Sequence, residues 1–154
     1  MKFSGNYLLT FINEILELNR IESENIEIEY TDFNLKVLLF NIQSSLKELA
    51  NINNNSFILD IDEKIPDVII GDPTKKSQIF MNMINNALKF TKNGEVRVIA
   101  ELFGINEGKA TIHFEIIDNG IGIPFEKQQT IFDSFSQGSI EINRKYGGTG
   151  LGLT

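Results

Sequence analysis

Between Asn34 and Asp118 the apolar residues switch between two periods, and that switching limits the fold more than any other feature of the chain. Leu35, Leu38, Leu39, Ile42, Leu46 and Leu49 recur at three- and four-residue steps, which predicts a helix from about Asn34 to Ala50. "FILDI" alternates and reads as a strand, Phe57–Ile61. Helical spacing returns in "GDPTKKSQIFMNMINNALKFTKNG", where Asp72 followed by Pro73 is a helix start and Gly94 is the expected stop. Val96–Phe103 and Thr111–Asp118 alternate again and are joined by "GINEGK", as in an antiparallel hairpin. "NIEIEY" predicts an earlier strand, Ile26–Tyr30, and "NINNNS" a polar loop, Asn51–Ser56. The expected order is one helix, then a mixed α+β domain.

That leading helix is expected over residues 3–22. Leu8, Phe11, Ile15 and Leu18 keep a heptad-like spacing beside a second row, Leu9, Ile12 and Leu16. A stripe this wide suits a helical bundle shared between chains, or packing against its own domain. From Glu126 to Tyr146 the pattern weakens over a length typical of functional loops.

Composition narrows the function classes. The chain has 154 residues, room for one domain with a core, and a formal net charge of -7. Excess acid argues against a nucleic-acid surface and gives no reason to expect an anionic membrane. There is no cysteine, which excludes disulfides and thiolate catalysis. No apolar run approaches the ~20 residues that span a bilayer, and no signal peptide is visible, so a cytoplasmic setting is expected. The single histidine, His113, sits in the alternating "ATIHFEI" and has no partners for a triad or a histidine metal site.

Two places carry chemistry. Asn82, Asn86 and Lys89 fall at i, i+4 and i+7 and share one helix face. A solvated face would favour Glu and Lys over paired Asn, a poor helix former. An amide oxygen suits Mg²⁺, which keeps most of its waters and adds phosphate oxygens, and a lysine one turn on would meet the same phosphates. In "IIDNGIGIP", Asp118 ends a strand and Gly120 and Gly122 follow. The acid could hold the exocyclic amine of adenine while the glycines let the ring lie against backbone; a plain tight turn is the alternative. "GGTGLG", Gly147–Gly152, could present N–H groups to phosphates.

The order of "GDPTKKSQIFMNMINNALKFTKNG", "DNGIGIP", "IFDSFSQ" and "GGTGLGL" resembles the ATP-binding domain of sensor histidine kinases, within the superfamily shared with gyrase, mismatch-repair and chaperone ATPases. The resemblance covers nearly the whole chain. It implies an α/β sandwich of the Bergerat type: a mixed, mainly antiparallel sheet with helices on one face. It implies ATP and Mg²⁺ as ligands, with Asn86 on the metal and Asn82 supporting it. Lys89 and Phe90 would contact phosphate and sugar, Asp118 adenine, and Gly120 and Gly122 would shape the pocket. Phe132 and Phe135 resemble the residues packed beneath a mobile ATP lid. Gly148, Thr149, Gly150, Leu151 and Gly152 would close over the phosphates, with Arg144 or Lys145 adding charge.

By the same resemblance, residues 1–24 look like the second helix of a dimerisation bundle and 25–154 like the catalytic domain, with both ends cut relative to the family. The bundle helix implies a homodimer through residues 3–22. The phosphoacceptor histidine of the first bundle helix is absent, so no residue here is expected to be the acceptor. The implied activity is transfer of the γ-phosphoryl of ATP to a histidine supplied elsewhere, then to an aspartate of a response-regulator receiver domain. ATP hydrolases of the superfamily carry a glutamate one turn before the metal asparagine. Here that position is Asn82, whose amide is no general base. An ATP hydrolase, a non-catalytic nucleotide-binding module and a protein-serine kinase are the rival expectations.

Overall fold

The structure is a computed structural model and describes residues 27–131. The expected helix over 3–22, Phe132, Phe135, the remainder of the 126–146 loop and the 147–152 glycine cluster lie outside the described residues. Ile28–Gly122 forms one compact unit. Its order is β1 (Thr31–Phe33), α1 (Leu35–Ile52), β2 (Ser56–Ile61), β3 (Ile69–Gly71), α2 (Pro73–Phe90), β4 (Glu95–Asn106) and β5 (Lys109–Asp118). A second unit holds the described residues 27 and 123–131, with a 3-10 turn at Phe125–Lys127 after Pro124.

One sheet runs β2-β4-β5, with β2 parallel and β5 antiparallel to β4; β1 and β3 form a separate antiparallel pair. Central β4 alternates, and Val96, Val98 and Ala100 are fully buried. Register aligns Phe57, Leu59 and Ile61 of β2 with them on one side, and Ile116 and Phe114 of β5 with Val98 and Ala100 on the other. Onto this face pack Leu35, Leu39, Ile42 and Leu46 of α1 and Phe80, Ile84, Ala87 and Leu88 of α2. The Phe80 and Phe114 rings meet at 4.8 Å. Each fully buried Leu or Ile contributes about 1.5–3 kcal/mol, which makes this interface the main source of stability. Helices on one face of a mixed sheet is the α/β arrangement the sequence implied.

Both helices begin where side chains cap them. Asn34 accepts from Val37 N at 2.9 Å, and Asp72 from Lys75 N at 2.8 Å, with proline in the first turn of α2. Other expectations need correction. Residues 27–30 are not strand, and pairing starts only at Thr31, opposite Gly71. Ile28 and Tyr30 are exposed, so their alternation has no buried face to match. Strand β3 was not foreseen, and α1 runs two residues past Ala50. Gly94 does not stop α2; Thr91 does, turning extended at φ -103° and ψ 139°. The hairpin is longer than expected and turns on Glu107 and Gly108, both at positive φ, which suits a two-residue loop. The β4–β5 register shifts between Leu102 and Gly104, leaving Phe103 as an extra residue on β4.

Candidate functional site

The C-terminal ends of α2 and β5 meet. On β5, Ile112, Phe114 and Ile116 pack toward the helices, and the two-residue period puts Asp118, paired with Val96, on that same face. His113, Glu115 and Ile117 take the other face, where His113 stacks on Phe103 at 4.9 Å and lies 3.0 Å from Glu115 Oε1. Beyond Asp118 the chain folds back on the end of α2, with Ile121 N donating to Phe90 O at 3.2 Å. Gly120 N donates to Asp118 Oδ1 at 2.9 Å, which fixes the carboxylate's orientation and leaves its second oxygen for a ligand.

Why glycine is needed is now visible. A Cβ on Gly120 would stand 2.5 Å from Phe90 O, 2.8 Å from Thr91 Oγ1 and 2.9 Å from Asp118 Oδ1. Gly122 has a different reason, a φ of +68° that side chains rarely adopt. Both glycines are required within the fold itself, Gly120 by close packing on the end of α2 and Gly122 by its turn conformation.

Helix α2 carries Asn82, Asn86 and Lys89 on one stripe. Asn82 is exposed, and Asn86 and Lys89 are half-buried. Desolvation lowers the Lys89 pKa from the ordinary lysine value. Its ammonium lies 5.2 Å from the centre of the Phe90 ring. A partly dehydrated cation beside a neutral amide oxygen is a donor set that fits a metal–phosphate group. Among the described residues no cluster of three acidic, histidine or cysteine side chains could hold a metal by itself. A cation here would need water or phosphate oxygens to complete its shell.

Sequence reasoning missed what holds the end of α2. Asn55, buried, donates from Nδ2 to Leu88 O at 3.0 Å and Thr91 O at 2.8 Å, and its Oδ1 accepts from Gly94 N at 3.2 Å. Asn53 adds Nδ2 to Leu88 O at 3.2 Å and a carbonyl for Asn93 N at 2.9 Å. Asn54 and Asn93, both at positive φ, join through their side chains at 3.3 Å. Asparagine tolerates that conformation, which accounts for the residue type at Asn54 and Asn93. Asn119 closes the far side, accepting from Glu95 N at 2.8 Å. The run's polarity was legible; its partners, more than thirty residues on, were not. A shallow cavity of about 210 Å³ beside Asp60, Asp62 and Glu101 is separate from this site, and Asp62 there is engaged by Lys64 N and Leu102 N.

Residues 71–154 match the family of histidine kinase-, DNA gyrase B- and HSP90-like ATPases. The chain belongs to this family. Among similar proteins, the hybrid signal transduction histidine kinase K of Dictyostelium discoideum is 38% identical over 99% of this chain and 13% of its own length. Signal transduction histidine-protein kinase BarA of Escherichia coli (strain K12) is 36% identical over 97% of this chain and 16% of its own. Full-length ShkA, crystallised in complex with AMPPNP, superposes with a TM-score of 0.81 at 27% identity, over 97% of this chain and 30% of that one. This chain thus spans less than a fifth of the two curated relatives. No helix among its described residues is long and apolar enough to cross a membrane. The sequence-derived candidates Lys89, Phe90, Asp118, Gly120 and Gly122 of this chain lie at or just beyond the α2–β5 junction.

Proposed function

We propose that this chain is the ATP-binding catalytic part of a sensor histidine kinase, donating the γ-phosphoryl of ATP to a histidine supplied elsewhere and from there to a response-regulator aspartate. The carrying observation is Asp118: an acid at a strand end, turned to the helix face and oriented by Gly120 N–H, in a turn that Ile121 N ties to the backbone of Phe90. As a carboxylate it accepts only, which suits the 6-amino group of adenine and opposes the 6-oxo group of guanine. Lys89 and Phe90 lie toward sugar and phosphates. Asn86, supported by Asn82, would hold Mg²⁺, which when bound neutralises charge on the phosphates. Asn82 has no basic group to draw a proton from water, which favours transfer to a protein over hydrolysis. Residues 1–24 would belong to a dimerisation bundle and pair with a second copy, and the working location is the cytoplasm. Phe132, Phe135 and 148–152 would complete the nucleotide site as lid and phosphate loop.

Calorimetric titration with ATP, with and without Mg²⁺, tests this. Asp118→Asn should weaken ATP by about 5- to 150-fold, the cost of an unpaired buried polar group. Asn86→Ala should bind metal-free ATP as before and lose the strengthening by Mg²⁺. Unchanged ATP affinity in Asp118→Asn removes the adenine assignment, and a full Mg²⁺ effect in Asn86→Ala places the metal elsewhere. Sustained phosphate release from the chain would instead identify a hydrolase.

A further inference from the structure

At the end of the sheet away from Asp118 the strands leave a notch. Strand β2 stops at Ile61, opposite Ala100, while β4 runs on to Asn106. A cavity of about 210 Å³ lies at this step, lined by residues that include Asp60, Asp62, Ile99, Glu101 and Phe103. Asp60 pairs with Ile99, and Glu101 follows two residues along β4. The two-residue period therefore puts both carboxylates on the sheet face turned from the helices, as diagonal neighbours.

The charges there do not balance. Asp62 is spoken for by Lys64 N and Leu102 N, with the charges of Lys64 and Lys36 acting on it. Asp60 and Glu101 are exposed and make no hydrogen bond or ion pair with another described residue. The other bases of this face are committed, Arg97 to Glu95 at 3.0 Å and His113 to Glu115 at 3.0 Å. Two unpaired like charges on neighbouring strands repel and give the fold nothing. Beside them the register shift sets out Phe103, 66% exposed, with His113 stacked on its ring.

We propose that this notch takes an arginine side chain presented by a partner protein. A guanidinium is a flat fork of donors, able to meet both carboxylates and to lie on an aromatic ring. Its stem has Ile99 to lie along. A lysine is a point charge and serves one acid at a time. Nucleotides and nucleic acids are repelled by the same acids. A second copy is a poor source, since the chain carries a net charge of -7 and its one arginine among the described residues, Arg97, is tied to Glu95. The notch stands on the sheet face opposite Asp118, so the proposal does not rest on the ATP-binding reading.

The whole chain is titrated with acetyl-Gly-Arg-Gly-amide and with its lysine and citrulline counterparts, followed by backbone amide shifts in nuclear magnetic resonance. Citrulline keeps the shape of arginine without its charge. The arginine peptide should give saturable shifts at Asp60 and 99–103, the lysine peptide weaker ones there, and the citrulline peptide none. Asp60→Asn and Glu101→Gln should each weaken the arginine peptide about two- to fivefold. Neither should change ATP affinity, and each should melt at the same or a higher temperature, one of two repelling charges being gone. Phe103→Leu should weaken arginine more than lysine. Equal binding of citrulline, or full arginine binding in the Asp60→Asn/Glu101→Gln double variant, overturns the proposal. So do shifts spread over the acidic surface without saturation, which mean general charge attraction alone. Should a variant fail to fold, the citrulline comparison on the unaltered chain decides. Self-association measured by sedimentation should be the same in Glu101→Gln as in the unaltered chain; its loss would give the notch to a second copy and overturn the outside partner.

Discussion

At the scale of single residues, the same acidic side chain does different work according to what its backbone offers. Asp118 needs one neighbour's N–H to aim it and keeps an oxygen open. Asp72 is saturated: Lys75 N donates to Oδ1 at 2.8 Å and Glu29 N to Oδ2 at 3.2 Å. Its pKa is held below the ordinary 3.8, chiefly by the Lys75 N–H, with Glu29 and Thr74 N–H groups helping and desolvation opposing. A carboxyl with a depressed folded pKa stabilises above its unfolded value and loses that contribution as pH falls through the folded one. Asp72→Asn keeps a cap acceptor but has no charge to titrate. The variant should be less stable than the unaltered chain at pH 7, and the gap should shrink below pH 3.8, measured by urea unfolding at both pH values. A gap constant with pH would mean the carboxylate charge is not used. Asp72 was readable as a cap because Asp-Pro is a local signal. The unpaired state of the Thr91 hydroxyl was not, since it depends on what segments distant in sequence leave unsatisfied.

At the scale of elements, α2 is placed by its C-terminal end rather than by propensity alone. The carbonyls that an isolated helix would leave to water are taken by Asn53 and Asn55 from the α1–β2 loop. Asn55→Ala leaves Thr91 O and Gly94 N without those partners in a buried setting, at about 1–3 kcal/mol for each group left unpaired. Denaturant unfolding should show that loss, and amide exchange should rise at 88–94 before it rises in β4. Exchange unchanged at 88–94 would show that Asn53 alone suffices. Element types were legible wherever period and caps agreed, as in α1, α2, β4 and β5. β3 escaped because three residues carry too little alternation, and their strand character comes from pairing with β1. The strand expected before Thr31 failed for the mirror reason, alternation without a partner.

At the scale of the whole molecule, the sheet separates its two faces chemically. The helix face ends in Asp118; the other carries His113, bound to Glu115 and stacked on Phe103. Phosphoryl transfer requires a nucleophile in line with the γ-phosphate, and a residue on the opposite side of the same strand is not so placed. With ATP and Mg²⁺ alone the chain should acquire no acid-labile phosphate; label that appears and vanishes in His113→Ala would refute this. A mixed α+β domain was legible in the chain's alternating periods and the helices on one face of the sheet were implied by the family resemblance, whereas the α2–β5 junction required knowing which strand face Asp118 takes. The extra residue at Phe103 bears on how such chains can vary in length. It lies between the hairpin tip and the last seven β5 positions, from Ile112 to Asp118, so the ladder has already absorbed one unmatched residue on the tip side without turning Asp118 over. Insertions around Glu107–Gly108 are therefore free to accumulate, and a reporter peptide grafted there should leave the opposite end intact. One residue added between Phe114 and Asp118 would reverse the acid's direction and erase the site in a single step.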